Sequence, residues 1–169
     1  MKTLILMRHS EAASARPGQS DFDRPLTESG RHLVHQTAPL LLQRITRLDR
    51  IIASSAVRTR QTAEELVSAA FPDTPLLTRP ELYEAPRSNY LAVLRSATEP
   101  DDEAVLLVGH NPVVAHLICH LAEQSFSVSP CTVAVFELDL ADWCDFRFES
   151  RADCRLTALF QEGREAKLH

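Results

Sequence analysis

Residues 4–12 read LILMRHSEA, an unbroken apolar run that ends at the pair Arg8 and His9. An apolar run without polar alternation is typical of a β-strand that is covered on both faces. The charged pair follows at once, so the run is far too short for a signal sequence or a membrane span. We therefore predict a buried first strand over residues 3–7, with His9 directly after its carboxyl end.

The remainder of the chain alternates between strand-like and helix-like patterns. Strands are predicted at residues 3–7, 51–53, 76–78, 104–108, 132–140, 144–148 and 156–160. Helices are predicted to begin at the N-cap residue Thr27, to cover residues 57–70 and 90–94, and to follow Pro112. This alternation predicts an α/β three-layer sandwich, in which a mostly parallel sheet has helices on both faces. No repeat or linker interrupts the pattern, so residues 1–169 are predicted to form a single domain.

The composition excludes several classes of protein. Of the 169 residues, 44% are hydrophobic and 24% are charged, which is typical of a soluble folded domain. With a formal net charge of −5, the chain lacks the basic field that nucleic acid or an anionic membrane would require, so neither is expected as a partner. The cysteines are Cys119, Cys131, Cys144 and Cys154. Their spacing matches no disulfide or metal-binding pattern, so they are expected to be reduced thiols of a cytoplasmic protein.

Polar residues with unusual chemistry follow three of the predicted strands. They are Arg8 and His9 after the first strand, Arg58 shortly after the second, and His110 and Asn111 after the strand at residues 104–108. Taken singly, each has an ordinary explanation as a turn residue or a solvated surface charge. In open α/β sheets, however, ligands bind beyond the carboxyl ends of the strands. The joint placement therefore predicts one crevice in which these residues meet.

Two histidines and two arginines are a chemically sufficient set for phosphoryl transfer. Arginine offers a rigid fork of donors that matches phosphate oxygens, and it stays charged at any working pH. A histidine nucleophile must be neutral, and the nearby cations Arg8 and Arg58 would lower the pKa of His9. His110 could then stabilise charge on the equatorial oxygens of the transferred group. Since positioning and electrostatics carry most of such catalysis, no cofactor or metal ion is predicted.

Four motifs resemble those of the histidine phosphatase superfamily, also called phosphoglycerate mutase-like. They are LILMRHSEA at residues 4–12, RPLTESGR at 24–31, SSAVRTRQTA at 54–63 and VGHNP at 108–112, and they occur in the family's order. The resemblance implies a phosphoglycerate mutase-like fold and a phosphohistidine intermediate on His9, with Arg8, Arg58 and His110 completing the phosphate pocket. The usual RHG motif reads Arg8-His9-Ser10 here. The small Ser10 is still expected to let the backbone approach the phosphate.

Within that superfamily the chain is most similar to SixA-type phosphohistidine phosphatases, which are similarly short. The elements predicted between residues 63 and 108 leave no room for the lid that larger members carry there. The resemblance also implies a general acid from this interval. Glu81 is favoured and Glu84 is the alternative, although either could be an exposed loop acid. Arg24 and Asn111 are further candidates for contacts with the substrate, and loop packing explains Arg24 about as well.

Three functions remain open from the sequence. The leading prediction is a metal-independent phosphatase that acts on phosphohistidine in another protein. The first alternative is a phosphomonoesterase that acts on a small phosphorylated metabolite, and the second is a phosphate-binding module without catalysis. His116 and His120 are four residues apart on one predicted helix, but no third ligand is evident, so they are not predicted to form a metal site.

Overall fold

A computed structural model describes residues 1–149 and 153–168 of the protein. The strands are β1 (Lys2–Arg8), β2 (Arg50–Ser54), β3 (Leu76–Arg79), β4 (Ala104–Gly109), β5 (Val133–Leu138), β6 (Cys154–Gln161) and β7 (Arg164–Glu165). The helices are α1 (Glu28–Arg44), α2 (Val57–Ala70), α3 (Arg87–Ala97) and α4 (Val113–Ala122). Helix α1 begins after Thr27, whose hydroxyl accepts a hydrogen bond from the backbone N–H of Gly30, so this N-cap is confirmed.

The seven strands form one sheet in the order β3-β2-β4-β1-β5-β6-β7. The first four pair in parallel, whereas β5, β6 and β7 are each antiparallel to the preceding neighbour. The prediction of a mostly parallel sheet is therefore right for one half of the sheet and wrong for the other. The connections account for part of the difference, because α1, α2 and α3 cross between the parallel strands, whereas a turn at Glu162 and Gly163 joins β6 directly to β7.

The side chains of β1 alternate between two hydrophobic cores, one on each face of the sheet. Leu4 and Leu6 pack in the core that α3 and α4 cover. Ile5 and Met7 pack in the core that α1 and α2 cover. Because both faces are covered, the strand needs apolar residues at every position, which explains its unbroken run. The predicted three-layer sandwich is confirmed.

One predicted strand, at residues 144–148, is wrong. The segment begins in a 3₁₀ turn, Trp143–Asp145, and continues as a loop. Trp143 is buried and donates from its indole N–H to the carbonyl oxygen of Asp102 over 2.7 Å. The rings of Phe146 and Phe148 meet edge to face, 5.2 Å apart, and both are buried in the core beneath α3 and α4. These apolar residues anchor a loop to the core. Because they are buried, the segment has the apolar pattern of a strand without being one.

Candidate active site

The carboxyl ends of β2, β4 and β1 lie side by side and bring four predicted residues together. Arg8 is the last residue of β1 and is paired with Gly109, the last residue of β4. The backbone N–H of His9 donates to the carbonyl oxygen of Gly109 over 3.0 Å. Arg58 stands in the first turn of α2, immediately after β2. Arg8, His9, Arg58 and His110 therefore lie at one edge of the sheet.

The two ring nitrogens of His9 have different partners. Nδ1 lies 2.6 Å from the carbonyl oxygen of Ser10. Because a carbonyl oxygen can only accept, Nδ1 carries the ring proton. Nε2 therefore keeps its lone pair, and Arg58 Nε donates to it over 3.3 Å. This tautomer leaves the lone pair on Nε2, on the side of the ring that Arg58 contacts.

Burial and neighbouring cations keep both histidines neutral. Burial lowers the pKa of His9 to about 3, and the Ser10 carbonyl opposes this shift. The charges of Arg58 and Arg8 lower the pKa of His9 further. Burial also lowers the pKa of His110 to about 4, with an added contribution from Arg58. His9 is therefore neutral at neutral pH, which is the form that a nucleophilic imidazole requires.

His110 is held near His9 by three contacts. Arg58 Nη2 lies 3.4 Å from its Nδ1, and Ser54 Oγ lies 2.9 Å from its Nε2. Its backbone N–H donates to the Tyr90 hydroxyl over 3.1 Å. A Cβ at Gly109 would lie only 2.6 Å from that hydroxyl oxygen. The absence of a side chain at Gly109 therefore allows Tyr90 to reach the His110 N–H. The two histidine rings lie 5.5 Å apart between their centroids.

Arg8 and Asn111 share one acceptor in the loop that follows α4. Arg8 Nη1 donates to the carbonyl oxygen of Val128 over 2.9 Å, and Asn111 Nδ2 donates to the same oxygen over 3.0 Å. Arg8 Nε is buried and has no hydrogen-bond partner among the described residues. A buried donor without a partner is costly, and an oxyanion is a strong acceptor for a guanidinium. The Asn111 amide contacts this loop and neither histidine.

Asp21 and Tyr83 belong to the site although the sequence did not identify them. Arg58 Nη1 donates to the backbone carbonyl oxygen of Asp21 over 2.7 Å, and its Nη2 donates to the carboxylate over 3.0 Å. The Tyr83 hydroxyl donates to the same carboxylate over 2.9 Å, and its ring lies edge-on to His110 at 5.6 Å. Both residues lie in loops that follow strand ends, which is the signal that could have indicated them.

The Asp21 carboxylate is ionised at neutral pH. The hydrogen bond from Arg24 lowers its pKa to about 2, and Tyr83 and Arg58 contribute to the shift. Burial and the neighbouring Asp21 carboxylate raise the pKa of Tyr83 to about 12, so its hydroxyl stays protonated. Arg24 donates to Asp21 over 2.8 Å through Nη1 and to Ala13 through Nε. Arg24 therefore contacts the site through Asp21 and touches neither histidine.

Three other residues singled out in the sequence form no side-chain hydrogen bond to either histidine. Ser10 is fully buried, and its hydroxyl and N–H bond to Gly30 and Thr62, away from the pocket. Glu81 and Glu84 are exposed. Among the described residues, neither carboxylate forms a hydrogen bond to either histidine, and Glu81 is engaged only through its backbone oxygen, which accepts from Asn89. Asp21, by contrast, hydrogen-bonds to Arg58 through its carboxylate.

Within residues 1–149 and 153–168, no group of three or more His, Cys, Asp or Glu side chains is placed to hold a metal ion. Over the same ranges, no helix has the length and hydropathy needed to span a bilayer.

The fold and the site define a phosphatase scaffold, and comparison with known proteins establishes the family. Residues 4–91 match the model of the histidine phosphatase superfamily, branch 1. Because this match covers more than half of the chain, the protein belongs to the histidine phosphatase superfamily. Solved structures that are similar to this chain include two proteins assigned as phosphohistidine phosphatases.

The chain is similar to the protein assigned as phosphohistidine phosphatase SixA of Agrobacterium tumefaciens, with 29% identity, a TM-score of 0.75, and 95% of this chain and 97% of that one covered. It is also similar to the protein assigned as phosphohistidine phosphatase SixA of Nakamurella multipartitia, with 27% identity, a TM-score of 0.77 and 95% of each chain covered. An uncharacterised protein of Picosynechococcus sp. is 34% identical over 114 residues, which are 64% of this chain and 66% of that protein's length.

Proposed function

We propose that this protein is a phosphohistidine phosphatase, which removes the phosphoryl group from a histidine of another protein through a covalent intermediate on His9. The nucleophile in this proposal is His9 Nε2, whose lone pair is free because Nδ1 holds the proton. Arg8, Arg58 and His110 would bind the three equatorial oxygens of the phosphoryl group, whose charge grows during transfer. The proposed location is the cytoplasm.

The reaction proceeds in two transfers. In the first, His9 Nε2 attacks phosphorus, a P–N bond forms to His9, and the P–N bond to the donor imidazole breaks. The donor imidazole takes a proton from solvent. In the second, water attacks phosphorus, a P–O bond forms, the P–N bond to His9 breaks, and inorganic phosphate leaves. The water proton is released, and His9 returns to its neutral tautomer.

The observation that carries the substrate class is the short chain between α2 and β4. Its described residues form β3, a 3₁₀ turn (Pro80–Leu82) and α3, and α3 packs on the sheet through its buried residues Tyr90, Val93 and Leu94. The segment forms no further helix or strand among its described residues, and His9 and His110 remain partly exposed. A pocket that is open at the edge of a sheet can receive a side chain presented by another protein, whereas enclosure of a small metabolite requires a lid.

The acid–base groups of the site also favour phosphohistidine. A phosphomonoester leaves as an alkoxide and needs a proton in the transition state, whereas phosphohistidine leaves as imidazole, a far better leaving group. Asp21 is ionised, so it has no proton to give in the free protein. Glu81 is exposed and contacts neither histidine. A site without a resident acid suits a donor whose leaving group departs unaided.

A labelling experiment tests this proposal. Protein mixed with a radiolabelled, histidine-phosphorylated phosphocarrier protein and quenched within milliseconds should carry label that is stable to base and labile to acid. The His9→Asn variant should carry none, whereas His116→Asn, which changes an exposed histidine of α4, should be labelled as the wild type is. Acid-stable label, or label on His9→Asn, would refute the covalent mechanism.

The same assay separates the substrate classes and tests metal independence. A panel of sugar and nucleoside phosphates should be turned over far more slowly than the phosphocarrier protein. Faster turnover of a metabolite would favour the phosphomonoesterase, and the absence of both labelling and turnover would favour the binding module. Activity should persist in excess EDTA, because Arg8, Arg58 and the histidines supply the positive charge. Loss on chelation, restored by zinc or magnesium, would contradict the metal-independent mechanism.

A further inference from the structure

We propose that Ser10 is a positioning residue that fixes the orientation and tautomer of the His9 ring. This role rests on the proposed use of His9 as the nucleophile. At this position the superfamily motif has glycine, which bears no side chain and leaves the backbone free. Here the residue is a serine with no exposed surface, and its carbonyl, N–H and hydroxyl groups each form a hydrogen bond. Its contacts connect the nucleophile to two helices.

The three polar groups of Ser10 point in three directions. Its carbonyl oxygen accepts the His9 Nδ1 proton over 2.6 Å. Its hydroxyl donates to the carbonyl oxygen of Gly30 in the first turn of α1 over 2.7 Å. Its N–H donates to Thr62 Oγ1 over 3.0 Å, and that hydroxyl in turn donates to the carbonyl oxygen of Arg58 over 2.7 Å. Ser10 therefore links the nucleophile to α1 and to the helix that carries Arg58.

Helix α1 is a rigid support for this bond. A Cβ on Gly30 would lie 2.3 Å from the backbone oxygen of Glu11, so the helix begins in direct contact with the chain after Ser10. The same Glu11 oxygen accepts from the backbone N–H of Thr27 over 3.0 Å. The hydroxyl of Ser10 thus reaches a carbonyl oxygen that cannot move away. Because the side chain and the N–H of Ser10 are both held by hydrogen bonds, the Ser10 carbonyl group keeps the orientation in which it accepts from His9 Nδ1.

This arrangement selects one tautomer of a neutral ring. If the Ser10 carbonyl turned away, Nδ1 would lose its acceptor, and the proton could move to Nε2. A ring protonated at Nε2 has no lone pair there and cannot attack phosphorus. The hydroxyl of Ser10 therefore acts on the reaction through His9, without touching the substrate.

Ser10→Ala and Ser10→Gly test this role, with Thr37→Val as the matched control. Thr37 is also buried, and its hydroxyl donates to a carbonyl oxygen of α1, that of Leu33, over 2.9 Å. All three changes should lower the free energy of unfolding in urea. Only the Ser10 variants should bring the ¹⁵N chemical shifts of the two His9 ring nitrogens closer together. The change should be larger in Ser10→Gly than in Ser10→Ala, because the alanine Cβ still restricts the backbone.

The kinetic result should match the spectra. The single-turnover rate of His9 phosphorylation should fall on the order of tenfold in Ser10→Gly, with unchanged affinity for the donor, because a misoriented nucleophile loses rate. Thr37→Val should keep the wild-type rate. Wild-type ¹⁵N shifts and rates in both Ser10 variants would overturn the proposal and leave Ser10 a purely structural residue. The shifts are read in the free protein, so they stand apart from the labelling result that tests His9 as nucleophile.

Discussion

The carboxylate of Asp21 lies 3.0 Å from Arg58 Nη2, so an anion of the protein already occupies a donor that a phosphoryl group would need. The backbone carbonyl oxygen of Asp21 also accepts from Arg58, through Nη1. The carboxylate is about half exposed, so it can turn away without a large cost. A phosphoryl group that enters the pocket therefore competes with Asp21 for Arg58.

Removing this competitor should strengthen oxyanion binding. In Asp21→Asn the negative charge is lost, while the backbone contact still orients Arg58. Affinity for tungstate, used as a phosphate analogue in titration calorimetry, should rise by about 1 kcal/mol or less, as is typical of an exposed ion pair. Asp23→Asn removes the same charge two residues away, where the carboxylate accepts from Ser20, and should change the affinity less. Weaker binding in Asp21→Asn would contradict this competition.

Arg58 should be irreplaceable by lysine. Its guanidinium contacts His9 through Nε, Asp21 through Nη1 and Nη2, and His110 through Nη2. A lysine ammonium is a compact charge that cannot span these partners. Arg58→Lys should lower the single-turnover rate by roughly 10²–10³-fold. Arg60→Lys changes an exposed position of the same helix and should have the wild-type rate. Similar losses of rate in both variants would show that the stability of the helix, and not the geometry of the Arg58 guanidinium, is responsible.

The leaving group should decide how much Glu81 matters. Glu81→Gln should change phosphohistidine turnover only modestly, because imidazole departs without a strong acid. Turnover of a phosphomonoester should fall by roughly 10²–10⁴-fold if Glu81 reaches the leaving oxygen. Glu84→Gln is the matched control in the same loop. A loss of phosphohistidine turnover as large as that of Arg58→Ala would contradict the leaving-group argument and favour the small-molecule phosphatase.

The two site histidines should make the stability depend on pH. Their pKa values in the folded protein, about 3 for His9 and about 4 for His110, lie below the ordinary value of 6.5. Below pH 6.5 the unfolded chain therefore binds protons that the folded protein does not, so the free energy of unfolding decreases as the pH falls toward 4. Each histidine contributes at most about 1.4 kcal/mol per pH unit.

Urea unfolding at several pH values between 7 and 4.5 measures this dependence. His9→Asn and His110→Asn should each show a shallower decrease of the free energy of unfolding than the wild type. His32→Asn, which changes an exposed histidine of α1, is the control and should follow the wild type. A common slope in all four proteins would mean that the site histidines are protonated in the folded state.

The part of the site that lies on strand ends could be predicted from the sequence. Strands covered on both faces must be apolar at every position, so their runs stop abruptly at Arg8 and after Val108. Parallel pairing then brings those ends to one edge, whatever the order of the strands. The local sequence therefore carries the positions of the histidines and of Arg58.

Their position after strand ends could mark Asp21 and Tyr83 as candidates, but their contact with each other could not be predicted, because loops from different parts of the chain bring them together. The ring of Phe22 packs edge to face on Tyr83, 5.0 Å away, and this contact places the neighbouring Asp21 near Arg58. The hydrophobic periodicity of the sequence does not indicate such a contact between loops. Burial that is not periodic also explains the wrong strand at residues 144–148, where Phe146 fills a core without pairing to a neighbouring strand.

The short connection between α2 and β4 has a consequence for the rate-limiting step. Among the described residues, those of β3 and α3 leave His9 and His110 partly exposed to solvent. In the proposed reaction, phosphate formed there would diffuse away without a preceding opening motion, so product release would not limit the rate. Because the proposed donor is another protein, its encounter with this protein would limit the rate at low donor concentration. Added sucrose should reduce kcat/KM in proportion to solvent viscosity and leave kcat nearly constant.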